Sequence, residues 1–106
     1  MALRFLEQKG FVLVARGWYC RRGEIDLVME RQGTVVFVEV KLRSSHAFGS
    51  PAEAINWLKM RRFMTAVGEY LRQNRVVRFQ MDAVLIYMDS RARLAKISHL
   101  EDVSIG

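Results

Sequence analysis

The stretch GEIDLVMERQGTVVFVEVK (residues 23–41) constrains the fold more than any other, because it reads as two β-strands joined by a turn too short for anything but an antiparallel hairpin. Apolar residues recur at every second place in EIDLVM (24–29) and TVVFVEVKL (34–42), which is the period of a strand. Gln32 and Gly33 suit the central pair of a two-residue turn, where glycine supplies the positive φ that such turns require. This register is expected to set Asp26 opposite Glu39 and Glu24 opposite Lys41. All four then project from one face, and Ile25, Leu27, Val38 and Val40 from the other.

Charges normally occupy the solvated face of a strand, and that plain reading stays open. Directly opposed carboxylates repel, however, and Asp26 and Glu39 make better sense with a divalent cation between them. Two carboxylates, a backbone carbonyl and water are the oxygen ligands that Mg²⁺ favours. Lys41 would reach from the same face toward a water on the metal or toward charge building on a phosphate. Phe37 alternates with Glu39, so this face is partly apolar and partly covered, and charges on a covered face need partners.

The rest of the chain builds around the hairpin. Residues 2–9 place Ala2, Leu3 and Leu6 on one side of a helix that stops at Gly10, and FVLVAR (11–16) is a strand. Ser50, Pro51 and Glu53 open a long helix as cap, first-turn proline and capping box. Met60, Phe63, Met64, Val67 and Leu71 form its core stripe to about residue 73. FQMDAVLIYM (79–88) reads as a strand buried on both faces, and RLAKISHL (93–100) as a short edge strand. The expected fold is α/β: a mixed sheet flanked by two helices, with the long helix crossing over to return the last strand beside the meander.

With 106 residues, 51% of them hydrophobic, a single domain over 1–106 is expected. The net charge is +6, and all but four of the 17 basic residues are arginine, whose planar fork matches phosphate oxygens. That excess fits a polyanionic partner or an ordinary basic surface. Cys20 has no second cysteine to pair with, and His46 and His99 are too few and too far apart for a zinc cluster. Neither a signal peptide nor an apolar run of membrane-spanning length is visible, so a cytoplasmic location without membrane association is expected.

The run GEIDLV, the short hairpin, FVEVKLR and FGSPAEAI followed by a long helix together resemble the YraN family of bacterial proteins, predicted endonucleases related to archaeal Holliday-junction resolvases. The resemblance covers roughly residues 2–88. It implies the αβββαβ restriction-endonuclease-like core of the PD-(D/E)XK nuclease superfamily. By this match Asp26 is the signature aspartate, Glu39 the acidic residue and Lys41 the lysine, while Glu24 belongs to the family's Gly-Glu-Ile-Asp-Leu run. Glu53, Lys59 and Asp82 match recurrent residues of the long helix and last core strand, which either back the site or hold the fold; the capping box is the competing role for Glu53. Gln80 and Met81 stand where an Arg-Phe pair is usual. The family also carries a Gly-Glu pair about one turn before the position of Ala2. This chain begins after that point, so weaker metal binding and cleavage are an expectation to weigh.

The resulting expectation is a Mg²⁺- or Mn²⁺-dependent endonuclease hydrolysing DNA, including branched DNA, with Asp26, Glu39 and the Val40 carbonyl as metal ligands. Arg43, Lys59, Arg61 and Arg62 would hold the phosphate backbone with little sequence reading. The alternative is a nucleic-acid-binding module that kept the fold and lost turnover. RNA stays open as a substrate. By analogy with resolvases, a C2 homodimer would make two symmetric cuts. Trp18, Tyr19 and Trp57 are either core residues or surfaces on which bases stack.

Overall fold

The computed structural model of the chain describes residues 1–44 and 57–103. Its elements are α1 (Ala2–Gln8), β1 (Val12–Cys20), β2 (Gly23–Arg31), β3 (Thr34–Ser44), α2 (Trp57–Gln73), β4 (Phe79–Met88) and β5 (Leu94–Leu100). The five strands form one sheet in the order β1-β2-β3-β4-β5. β3 and β4 run parallel, joined across α2, and the other neighbours are antiparallel. Two helices on a mixed sheet in the order αβββαβ, with β5 added at the edge, agree with a restriction-endonuclease-like core. Ser50, Pro51 and the Ser50–Glu53 capping box lie outside the described residues.

Gln32 at φ 51° and Gly33 at φ 81° close the two-residue turn, and pairing runs from Arg31↔Thr34 to Leu27↔Val38 in the expected register. The ladder then ends. Neither Asp26 with Glu39 nor Glu24 with Lys41 forms a strand pair, because β3 continues along β4 from Val35 to Ser44 while β2 separates from it.

Each sheet face buries its own core. On one side Ala2 and Leu6 of α1 pack with Leu27, Met29, Val36, Val38, Val84 and Ile86. α1 ends in a Schellman motif: the N–H of Phe11 bonds the Leu6 carbonyl and that of Gly10 the Glu7 carbonyl, with Leu6 and Phe11 buried together. On the other side Phe63, Ala66, Val67 and Tyr70 of α2 pack with Ile25, Val28 and Phe37. The Tyr70 ring meets Trp18 and Phe37 edge-on, each at 5.2 Å between centroids.

Three expectations about burial change. Ile25 does not share a face with Leu27: it lies under α2 with Val28, so the alternation breaks at Asp26 and Leu27. Gly17, at φ 64°, lies between the Arg16↔Leu27 and Trp18↔Ile25 pairs without a change of register, and the β1–β2 register shifts instead between Leu13 and Ala15. Met64 is exposed, because Ala66 and Tyr70 rather than Met64 and Leu71 complete the buried stripe. β4 is fully buried only through Asp82, Val84 and Ile86, since α2 packs chiefly against β2 and leaves the other face of β4 half covered.

The α2 stripe is rotated by a close approach at Gly23. A Cβ placed there would lie 2.0 Å from the Arg62 carbonyl oxygen and 3.0 Å from the Ala66 nitrogen, both backbone atoms that cannot swing aside. Gly23→Ala is therefore expected to lower stability by about 2–3 kcal/mol or more, the scale of an overpacked core. Gly68, exposed on the same helix with open space at its Cβ position, is the opposite case. Gly68→Ala should raise stability by about 0.5–1 kcal/mol. Urea unfolding of the two variants checks both signs.

Candidate metal centre and cleft

Where β2 and β3 separate, a side chain replaces the ladder. Asp26 Oδ2 accepts the backbone N–H of Val40 at 2.7 Å, fixing the carboxylate against β3 one residue beyond Glu39. From α2, Lys59 reaches the same point. Its Nζ donates to the Val40 carbonyl at 3.1 Å and stands 3.6 Å from Asp26 Oδ2 and 3.8 Å from Glu39 Oε1.

Glu39 is 2% exposed, and among the described residues neither of its carboxylate oxygens has a hydrogen-bond partner. A buried carboxylate without such bonds is costly unless a cation stands by it. Burial raises the pKa of Glu39; Lys59 and then Lys41 oppose the rise, while Asp26 and, least of all, Glu24 add to it. Burial also lowers the pKa of Lys41, against the opposing pull of Glu39, with Arg43 and Lys59 adding to the lowering.

An open cleft of about 930 Å³ lies beside this group, its wall including Arg16, Asp26, Lys41, Arg43, Trp57 and Lys59. The Val40 backbone also lines it, whereas Glu39 does not. Asp26 thus meets the Val40 amide, and Lys59 joins Asp26, Glu39 and Val40, with Lys41 on the cleft wall beside them. Glu24 is exposed between Gly23 and Ile25, two residues buried beneath α2, and stands at the margin of the group. Arg43 lines the cleft. Lys59, expected on the phosphate backbone, points inward, and Arg61 and Arg62 are exposed on α2 outside the cleft wall. Arg16, whose role no local motif signals, joins the wall. Trp18 is packed against Tyr70, while Tyr19 and Trp57 are exposed.

A second polar cluster occupies the opposite face of the sheet. Asp82, His99 and Glu101 bring ligand atoms within 4.8 Å of one another, a grouping that could hold a metal ion. Its groups are already bonded. Asp82 accepts from Gln80 Nε2 and the Asp102 amide, each at 2.9 Å, and pairs with His99 Nε2 at 2.7 Å. Lys9 Nζ, which can only donate, meets His99 Nδ1 at 2.6 Å, so Nε2 carries the ring proton toward Asp82. Arg31 holds Glu101 at 3.0 Å. Asp82 thereby ties β5 to β4 and α1, the structural one of its two expected roles.

The sequence model of the uncharacterised protein family UPF0102 matches residues 1–86. The chain belongs to the UPF0102 family. It is 45% identical over 87 residues to a UPF0102 protein of Neisseria meningitidis serogroup C, covering 80% of this chain and 76% of that one. A UPF0102 protein of Beutenbergia cavernae is 43% identical over 107 residues, covering 97% and 88%. The UPF0102 match spans α1 to most of β4, and so every residue of the Asp26–Glu39–Lys41–Lys59 group. Among the described residues no helix is long and apolar enough to cross a membrane.

The raised pKa of Glu39 sets a sign for stability. The folded chain holds this proton more tightly than the unfolded chain, so the contribution of Glu39 is complete below the ordinary value of 4.5 and is lost as pH rises through the folded value. Glu39→Gln, measured without divalent ions, should therefore melt above the wild type at pH 7, and the gap should close as pH approaches 4.5. Thermal melts across that range check it; a variant that melts lower at pH 7 would mean that the lysines outweigh desolvation.

Proposed function

We propose that the chain is a metal-dependent phosphodiesterase acting on DNA, with Asp26, Glu39 and the Val40 carbonyl as the protein ligands of Mg²⁺ or Mn²⁺. The observation that carries this reading is Glu39, whose two buried oxygens have no hydrogen-bond partner among the described residues, while the Lys59 ammonium 3.8 Å from Oε1 also meets the Asp26 carboxylate and the Val40 carbonyl. An all-oxygen donor set of this kind suits a hard divalent cation. When bound, such an ion supplies Lewis-acid polarisation of a phosphate oxygen and eases the deprotonation of water.

The chain's own residues do the rest. Asp26, pinned by the Val40 amide, fixes one side of the site, and Glu39 fixes the other from within the sheet. Lys41 lines the cleft two residues beyond Glu39, and its lowered pKa makes it a better proton donor to an attacked phosphate than an ordinary lysine. Arg16 and Arg43 present guanidinium groups to the same cleft, and the exposed Trp57 ring at its wall offers a stacking surface. The resemblance of GEIDLV and FVEVKLR to resolvase relatives supports branched DNA as substrate, and with it a symmetric dimer.

The test is cleavage of labelled linear, flapped and four-way-junction DNA in Mg²⁺ or Mn²⁺. The wild type should cut at least one of them, and Asp26→Asn and Lys41→Met should cut about 10²-fold more slowly while still binding. Arg16→Ala and Arg43→Ala should weaken binding and reduce its salt dependence by about one counterion each. Binding that ignores divalent ions, with no cutting of any substrate, would replace this reading by that of a binding module.

A further inference from the structure

Lys59 is placed unlike the other cations around the cleft. Its ammonium is hydrogen-bonded to the Val40 carbonyl and lies within 4 Å of both Asp26 and Glu39, so it touches each of the three groups read as ligands. It also stands toward the cleft from Glu39: Lys59 lines the wall and Glu39 does not. At that place the ammonium competes with a divalent ion for Asp26 Oδ2, Glu39 Oε1 and the Val40 carbonyl, and the two cations repel each other.

We propose that Lys59 is an internal counter-cation that takes the place of the divalent ion and has to leave for the ion to bind. The inference rests on reading Asp26 and Glu39 as metal ligands and adds the competitor that sets their affinity. α2 stays anchored through Phe63, Ala66, Val67 and Tyr70, so the movement is confined to the flexible four-carbon stem of Lys59. In the metal-free protein the ammonium offsets the Glu39 charge, which lets the site form without an ion. Once displaced, it lies beside a cleft suited to phosphate, where an anionic oxygen is its natural partner. Substrate and metal then favour the same outward position of Lys59 and assist each other's binding, as linkage requires.

The test measures Mn²⁺ binding to the full chain by calorimetry and electron paramagnetic resonance, comparing wild type, Lys59→Met and Lys59→Arg, with Asp26→Asn to identify the site. Lys59→Met should bind Mn²⁺ roughly tenfold more tightly than wild type, and Lys59→Arg should stay close to wild type. Without metal Lys59→Met should melt lower, and saturating Mn²⁺ should raise its Tm more than that of the wild type. Equal or weaker binding by Lys59→Met, with Asp26-dependent binding intact in the wild type, overturns the inference and leaves the metal reading standing. No Asp26-dependent binding in any variant overturns both. A measurement independent of folding in the variants is the Lys59 Cε resonance of the wild type during a Mg²⁺ titration: a shift that saturates with the ion supports displacement, and a resonance unmoved at saturation overturns it.

Discussion

The separation of β2 from β3 after Leu27 and Val38 shapes everything around it. Had the ladder continued, Asp26 and Glu39 would face each other as strand neighbours, at a separation where like charges destabilise a pair. Instead one hydrogen bond from the Val40 amide to Asp26 spans the gap and satisfies a donor that the ended ladder would have left open. β3 pairs along β4 by its other edge from Val35 to Ser44, and its Glu39–Lys41 segment becomes the border of a cleft rather than the middle of a closed hairpin. The alternation break that turns Ile25 toward α2 belongs to the same distortion, because Gly23 and Ile25 can seat the helix only if β2 changes face before Leu27.

The two buried carboxylates of the sheet are solved in opposite ways. Asp82 is fully buried and carries three bonds, from Gln80, His99 and the Asp102 amide, with Lys9 completing the network through the far side of the histidine ring. Such a carboxylate is a fastener: its donors come from β4, β5 and the segment just after β5. Glu39 has comparable burial and no such bonds among the described residues. A carboxylate kept in that condition contributes poorly to stability, and structures retain that kind of cost where binding or chemistry needs it. The Asp82–His99–Glu101 cluster could hold a metal ion but has its groups already bonded, and the proposed function therefore rests on Glu39 instead.

Much of this was legible in the sequence because it depends on local rules. The Gln32-Gly33 turn, the β2–β3 register as far as Leu27↔Val38, the helix stop at Gly10 and the element order follow from turn chemistry and apolar period. What was not legible depends on contacts between elements. The α2 stripe turned toward Ala66 and Tyr70 because the helix backbone sits on Gly23, a contact with no signature in the helix itself. Lys59 is expected from the sequence at the phosphate backbone or behind the site, and its contact with Asp26 and Glu39 depends on how α2 is placed over the end of β3. His99 was unremarkable as a lone histidine until Lys9 and Asp82, far away in the chain, met its two nitrogens.

Under the proposed function, the charge distribution gives a reason for a cation within a protein that already carries +6. The cleft wall offers Arg16, Lys41 and Arg43 to a phosphate, yet Asp26 lines the same wall with Glu39 behind it, so a phosphate drawn in by the rim meets repulsion at the point of deepest approach. A cation between the carboxylates offsets that local field, and two can serve: the tethered ammonium of Lys59 or a diffusible divalent ion. The ammonium carries a single charge on an arm from α2 and suffices to offset part of the Glu39 charge. A divalent ion would neutralise both carboxylates, which the single charge of the ammonium does not, in the low dielectric around a buried ligand. On the proposed reading, exchange of one for the other would turn a site arranged for stability into one arranged for phosphate chemistry, without any change of fold.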